Sequence, residues 1–579
     1  MSSFIKEKLQ QLSYTNIVTK LLISIIAVSF LETAFSPYKF NTPEFFNSIS
    51  FGLHLLLVLV IFALLCFSLN EKYNGYSLII LLTSLFVITN YQNQNIFFAI
   101  VCSGVLCAFV CYFSKKIKKF TLSKKFTIIV CIILGILFTL FVAGITIIKF
   151  LNHRTPNFDF GIFSQMFHYM KETLVPYTTC ERDMLLSHFA VHFSPILYLI
   201  LPFYIIFPHP SILLALQAII VALGIIPIYK LGKHFNLSNN KIIAITFMYV
   251  FHPTVLANNF YYFHENCFLT VLLLFLFYFA EKQKSIPTYI FALLTMFVKE
   301  DAPIYVLFFG IYLLLSNKSK IKGSVLCSMS IIYFAVVTKL MSIYGNGIMT
   351  YRYDNFIFED NGSIYSVVLN VIKNPTYVFD QLLKQEKLEF LILMLVPLAF
   401  IPFVIKKPSS IALFFPLVLM NFMTDYVYQY NIGFQYTYGT VAFLFYLVII
   451  NISEVSPENA KKLLLCGICT SLIFFASVNM YRLNSFEVYA NEKEESKVIN
   501  TTLNSIPKDK SIKSTSFFIP SLWNRNDVYE YRYSDKKTDY VVFDLRWNNN
   551  ELKEFLSENE ESYECVTFEN GIIALYKAK

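Results

Sequence analysis

Charge is what this chain has least of. Of its 579 residues only 15% are charged, and 2 tryptophans and 17 glycines stand against 61 phenylalanines. With 56% hydrophobic residues, polar side chains are too few to cover a water-soluble body of this size, so a soluble enzyme or binding domain is excluded for most of the chain. No HExxH occurs, which removes the usual helix-borne zinc signature. Internal repeats and low-complexity tracts are also missing. Nine of the eleven cysteines lie in or at the edge of apolar runs, where Cys acts as a small hydrophobe; Cys180 and Cys565 fall in polar segments, where a disulfide between them is open. Cys466-Gly467-Ile468-Cys469 has a redox-like spacing but sits inside a hydrophobic run with no flanking βαβ pattern, which assigns it to packing.

What is there instead is a series of apolar runs of about 17 to 22 residues, long enough to cross roughly 30 Å of hydrocarbon with every backbone hydrogen bond internal. They predict an all-α polytopic transmembrane bundle of about a dozen spans, drawn from sixteen stretches at 17–35, 51–69, 76–90, 96–113, 126–148, 189–208, 211–229, 242–259, 266–280, 286–298, 302–315, 323–343, 388–405, 411–424, 433–452 and 462–480. The first stretch follows Lys6, Lys8 and Lys20 without a small-residue cleavage site, the pattern of a retained anchor. The net charge of +9 comes from short basic loops such as Lys115, Lys116, Lys118, Lys119, Lys124 and Lys125. That is the pattern of cytoplasmic loops, so the expected partner is the lipid bilayer and not nucleic acid.

With the N-terminus cytoplasmic, the segment 151–187 is external and the later basic loops are internal. One conflict arises. Two full spans between 189 and 229 would put Lys230, Lys233 and Lys241 outside, so one of that pair is expected to be re-entrant, broken by Pro195, Pro202, Pro208 and Pro210. The expected organisation is N-terminal helices at 1–125, a transmembrane core at 126–481 with external loops 151–187 and 344–387, and a C-terminal extracytoplasmic α/β domain at 482–579. This tail holds Trp523 and Trp547 and strand-like runs at Tyr540 to Leu545 and Gly571 to Lys577. A multi-pass protein of the plasma (inner) membrane follows.

Ionisable groups at membrane depth cost about 2.5 to 3.5 kcal/mol each, so their placement carries information. Here they gather at the expected external ends of spans: Asp159 and Gln165, then His188 and His192, then His264 and Glu265, then Lys299, Glu300 and Asp301. Asp159 lies in an interfacial stretch and suits deprotonation of a hydroxyl or binding of a metal ion, though a helix cap would use the same residue. His188 and His192 stand four apart and share one helix face, equally suited to a ligand or to bonding their neighbours. Lys299, Glu300 and Asp301 interrupt a long apolar stretch, which places a turn there, with Lys299 a partner for Glu265 or Asp159 and for an anionic ligand. Arg352 and Gln435 sit in two further external, tyrosine-rich segments.

The order FDFGIFSQ at 158–165, SHFAVHFSP at 187–195, a helix containing Gln217, YYFHEN at 261–266, KED at 299–301, QYTYG at 435–439 and DYVVFDLRW in the tail resembles the membrane family known as domain of unknown function 2079. That family in turn resembles the C superfamily (GT-C) of membrane glycosyltransferases. The resemblance implies a multi-span enzyme with an essential Asp in its first large external loop, the place Asp159 occupies, which takes sugar from a polyprenyl-phosphate carrier to an acceptor. On that reading Asp159 is the general base, while Lys299, Arg352 or a divalent metal ion held by Asp159, His264 and Glu265 stabilises the leaving phosphate; Gln165, His188, His192, Glu300, Asp301 and Gln435 are candidate substrate contacts. Two rivals use the same residues differently: a transporter, for which buried charges and broken helices mark a solute path, and a non-catalytic membrane assembly component whose tail binds partners.

Overall fold

The computed structural model describes residues 13–68, 70–114, 121–358, 364–559 and 561–579. Lys6, Lys8, Lys115, Lys116, Lys118 and Lys119 lie outside the described residues. Four helices open the chain: α1 (Tyr14–Phe35), α2 (Phe51–Ser68), α3 (Asn74–Asn93) and α4 (Ile96–Phe113). Ser13 and Asn95 cap α1 and α4 by accepting from the backbone N–H three residues on. α1 packs on α2 and α3, while α3 and α4 lean on a late helix described below. α2 buries only Val58, as a helix bathed in lipid would.

The core begins with α5 (Lys124–Leu151), followed by the short α6 (Ile162–Thr173), then α7 (Ser211–His234), α8 (Asn239–Phe251), α9 (Cys267–Glu281), α10 (Ser285–Met296), α11 (Pro303–Leu315), α12 (Lys320–Tyr344), α13 (Tyr438–Glu454) and α14 (Pro457–Val478). Every residue of α13 from Tyr438 to Ile452 is buried, so α13 is the axis of the bundle. It runs beside α9 and α7 and meets α11 through aromatic rings, Tyr305 on Phe443 and Phe309 on Tyr446; a Cβ on Gly439 would lie 2.3 Å from the Tyr305 ring.

Among the described residues nine helices are long and apolar enough to cross a membrane, or ten if α8 and the bent segment Pro253–Tyr261 form one span. That is fewer than the sixteen apolar stretches, and proline accounts for much of the difference. The stretch 388–405 is the helix Gln385–Leu395 followed by 3-10 turns at Pro397 and Pro402, and 411–424 is an irregular run of 3-10 and π turns around Pro416. α9, α10 and α11, at 15, 12 and 13 residues, are short apolar helices.

The stretch 189–208 is likewise no full span. It consists of 3-10 turns at His188–Ala190 and Pro195–Leu199 and a six-residue helix, Leu201–Ile206. The basic loop at 230–241 accordingly shares an end of the bundle with the start of α5: Asn239 Nδ2 donates to the Leu122 carbonyl at 2.6 Å, and Lys233 bonds Asn239. Prolines leave 189–208 too broken to form one membrane-length helix, as expected from the sequence for one member of the pair 189–208 and 211–229.

At the other end of the bundle, α15 (Asn484–Asn491) and α16 (Lys493–Ser505) lead into a five-stranded mixed sheet with one covering helix, α17 (Asn550–Asn559). Two-residue strands β1 (Tyr177–Thr178) and β2 (Leu186–Ser187) form a separate hairpin in the loop after α6. The sheet comprises β3 (Ile512–Ser514), β4 (Val528–Glu530), β5 (Tyr540–Asp544), β6 (Tyr563–Glu569) and β7 (Ile573–Ala578) in the order β4-β3-β5-β7-β6. β3 runs parallel to β4 and β5, and β7 antiparallel to β5 and β6. One sheet face packs on Leu552 and Phe555 of α17; the other shares its core with Ile162 and Cys180 of the loop after α5. The tail and that loop are therefore one packed unit. Cys180 is buried there and Cys565 exposed, both as free thiols. Cys466 and Cys469 are buried in α14, where Cys469 receives the Thr83 hydroxyl of α3 at 3.5 Å.

Candidate functional site

The loop after α5 is held from behind by the tail. Arg546, paired with Asp544 at 2.7 Å, donates to the carbonyls of Asn152 and His153 at 3.1 and 2.6 Å, and Arg154 pairs with Glu492 at 2.5 Å. Asn157 Nδ2 donates to Glu530 at 2.7 Å and to the Cys180 carbonyl at 3.1 Å. Gly161 closes this turn, where a Cβ would lie 2.5 Å from Asn157 Oδ1 and 2.9 Å from Ile519, so only glycine fits without rearrangement. The result fixes Asp159, which follows a cis Phe158–Asp159 peptide, at the wall of a cavity of about 190 Å³.

Around that cavity stand Glu181, Arg182, His188, His192, His264, Arg352, Gln435 and Tyr436, from segments far apart in the chain. Gln435 donates to Asp159 Oδ2 at 3.4 Å, the Tyr261 hydroxyl also bonds Asp159, and His264 Nε2 lies 3.8 Å from Oδ2. Burial pushes the Asp159 carboxyl above its usual range; Lys299 pulls it back and Glu181 adds to the rise. On one wall His188 Nδ1 meets Glu181 at 2.9 Å, and on another His192 Nδ1 meets Glu300 at 2.8 Å. Burial alone would lower the His188 imidazole, but the Glu181 carboxylate outweighs it and holds the ring above its ordinary value.

Arg352 provides the cationic wall. Its backbone carbonyl accepts from Asp425 N and Thr424 Oγ1 at 2.9 and 3.0 Å, and its guanidinium lies over the rings of Tyr426 and Tyr436 at 4.7 and 5.1 Å. The buried Nε has no hydrogen-bond partner. Arg352 Nη2 donates to Met349 Sδ at 3.2 Å and to the Tyr436 hydroxyl at 3.4 Å, and a guanidinium on the wall of a polar cavity suits an anionic oxygen.

Five sequence candidates lie elsewhere, Glu265 among them. Gln165 is buried and its amide is used up by Thr178, Thr179 and the carbonyls of Arg525 and Asn526, so it joins the loop to the tail and contacts no cavity. Lys299 is 1% exposed and lies 3.4 Å from Glu265, behind His264; the pairing expected from sequence is there, the direct contact with an anionic ligand is not. Glu300 orients His192 and accepts from Phe193 N at 3.2 Å. Asp301 sits within electrostatic reach of Arg352, behind the wall. Conversely, Tyr261, Glu181 and Tyr436 have no role of their own in the sequence reading, and Gln217 enters there only as part of the motif set. Gln217 clamps the loop bearing His264: its amide donates to the carbonyls of Asn259 and Tyr262 at 3.1 and 2.7 Å, and its oxygen accepts from His264 N at 2.8 Å.

A metal centre made by Asp159, His264 and Glu265 does not fit this arrangement. Glu265 is fully buried and faces Lys299 and His264 Nδ1, at 3.4 and 3.0 Å, so only Asp159 and His264 reach the cavity. Among the described residues no group of three or more His, Cys, Asp or Glu side chains is placed to hold an ion.

Residues 149–574 match the family model described as "Predicted membrane protein (DUF2079)". The chain belongs to this family. No curated protein matches it. Among solved structures, ArnT from Cupriavidus metallidurans bound to undecaprenyl phosphate is similar with 8% identity over 78% of this chain and 98% of that one, at a TM-score of 0.47. The apo form of the same protein gives 9% identity over 76% and 97%, at a TM-score of 0.41. The family match spans the core from the end of α5 through the tail and leaves out α1 to α4, so the DUF2079 unit comprises the cavity and both of the elements that hold Asp159 in place.

Proposed function

We propose that this protein is a membrane glycosyltransferase that moves a sugar from a polyprenyl-phosphate carrier to an acceptor hydroxyl at the outer face of the plasma (inner) membrane. The observation that carries this reading is that Asp159 and Arg352 line one cavity, a carboxylate made more basic by burial and a guanidinium that can neutralise an anion. Asp159 takes the proton of the acceptor hydroxyl; its oxygen attacks the anomeric carbon, and the bond from that carbon to the phosphate oxygen breaks. The phosphate leaves with its negative charge facing Arg352 and His188, whose positive charge stabilises it. Gln435 and His264 orient the sugar from the Asp159 side. The resemblance of the motif set to the C superfamily agrees with this assignment of Asp159, and no step is routed through a metal.

The basic loops at the opposite end fit a cytoplasmic placement, which leaves the cavity and the tail external. Vesicles containing the protein, supplied with labelled polyprenyl-phosphate sugars and an envelope extract as acceptor, test the reading. Label transferred to the extract supports it; accumulation of free sugar in the lumen without transfer would make the protein a transporter.

A further inference from the structure

A second cavity, of about 230 Å³, opens at the same end of α5 but is lined by none of the residues of the first; among its lining residues are Lys149, Arg154, Tyr481, Arg482 and Ser485. The two are separated by the segment Asn258–Tyr262: Tyr261 bonds Asp159 on one side, while on the other Lys149 Nζ lies 5.3 Å over the Tyr262 ring and Arg482 4.7 Å over the Phe260 ring. Arg154 and Arg482 both lie within electrostatic reach of Lys149. Arg154 is neutralised by Glu492. Among the described residues no carboxylate comes within ion-pair distance of Lys149 or Arg482, and Arg482 Nε is buried without a hydrogen-bond partner.

Basic side chains at the end of a membrane helix commonly snorkel outward to water, each on its own. Here two uncompensated cations are instead drawn together over aromatic faces around one cleft, an arrangement that costs free energy unless an anion joins it. Leu151, Leu483 and Phe486 are exposed beside it, and Phe486 packs on Gly144 of α5, so the cleft adjoins the lipid-facing side of that helix.

We infer that this cleft binds the phosphate of an anionic lipid headgroup, with Lys149 and Arg482 as its contacts and Leu483 and Phe486 against the acyl chains. The site is separate from the cavity of Asp159, and its assignment does not rest on the reaction proposed there.

The full-length protein in detergent, titrated with phosphatidylglycerol, phosphatidylcholine or inorganic phosphate and read by native mass spectrometry, tests it. Each basic residue at an anionic surface contributes enough that losing two should weaken binding by about thirty-fold. The expected result is retention of phosphatidylglycerol over phosphatidylcholine by the wild type, loss of that preference in the K149Q/R482Q variant, and its recovery in K149R/R482K, which also shows that the fold tolerates change there. Displacement of phosphatidylglycerol by millimolar inorganic phosphate would keep the phosphate site but assign free phosphate as its occupant. Equal retention of phosphatidylglycerol by wild type and K149Q/R482Q would overturn the inference.

Discussion

His264 Nε2 faces Asp159 Oδ2 at 3.8 Å, a separation too long for a hydrogen bond, while its Nδ1 accepts from the Asn266 backbone N–H at 3.3 Å, beside the buried Glu265. The imidazole is thus fixed from behind and leaves the carboxylate free on the side where an acceptor hydroxyl would lie.

In the proposed reaction Arg352 meets the departing phosphate. Hydrogen bonds to charged groups contribute about 1.5 to 3 kcal/mol, so Arg352→Ala should lower kcat/KM for the donor by roughly ten- to a hundred-fold. Arg352→Lys should recover only part of that, because an ammonium cannot reproduce the planar fork. Steady-state kinetics with a fixed acceptor measures both, and full activity in Arg352→Ala would remove the residue from the site.

Glu265 and Lys299 form a buried pair whose members fail separately. Lys299→Met leaves an unpaired carboxylate at zero exposure and should cost about 3 to 5 kcal/mol, whereas Glu265→Gln with Lys299→Met should cost clearly less than the sum of the single changes. Thermal unfolding of the four proteins in one detergent completes the cycle, and strict additivity would contradict the pairing.

The pH dependence follows from the direction of the Asp159 shift. A general base must be ionised, and burial raises this carboxyl above the ordinary Asp value of about 3.9, so the rate should fall as pH drops through a midpoint above that value. The acidic limb of a pH–rate profile reads it, and a midpoint at or below about 3.9 would contradict the buried setting.

Because Ile162 and Cys180 belong to the core of the tail, deletion of residues 485–579 should remove transfer activity along with any partner binding. Hydrogen exchange over 155–190 should accelerate in the truncated protein. Unchanged exchange and unchanged transfer would instead make the tail a separate binding module.

Much of this architecture is legible in the sequence, since apolar length and loop charge report on lipid directly. The basic loop at Lys230 to Lys241 even signals that one of the pair 189–208 and 211–229 is not a full span, and 189–208 is the broken one. Less legible is which polar residue reaches the cavity. Asp159, His188, His192, His264, Arg352 and Gln435 do, but Lys299 lies one layer behind, stacked on Glu265, and Gln165 turns toward the tail. Periodicity assigns a face of a helix; it does not say that another charged side chain covers that face. Gln217 belongs to the motif set, but its role is hidden for the opposite reason. A single glutamine in an apolar helix resembles a tolerated polar residue until the loop it clamps is in view.

The most direct measurement is transfer of radiolabelled sugar from a panel of polyprenyl-phosphate sugars in vesicles containing wild-type protein or Asp159→Asn. Loss of a general base should lower transfer by about 10² to 10⁴-fold while the variant keeps the wild-type melting temperature. A folded Asp159→Asn protein that transfers sugar at the wild-type rate would contradict the role assigned to this carboxylate.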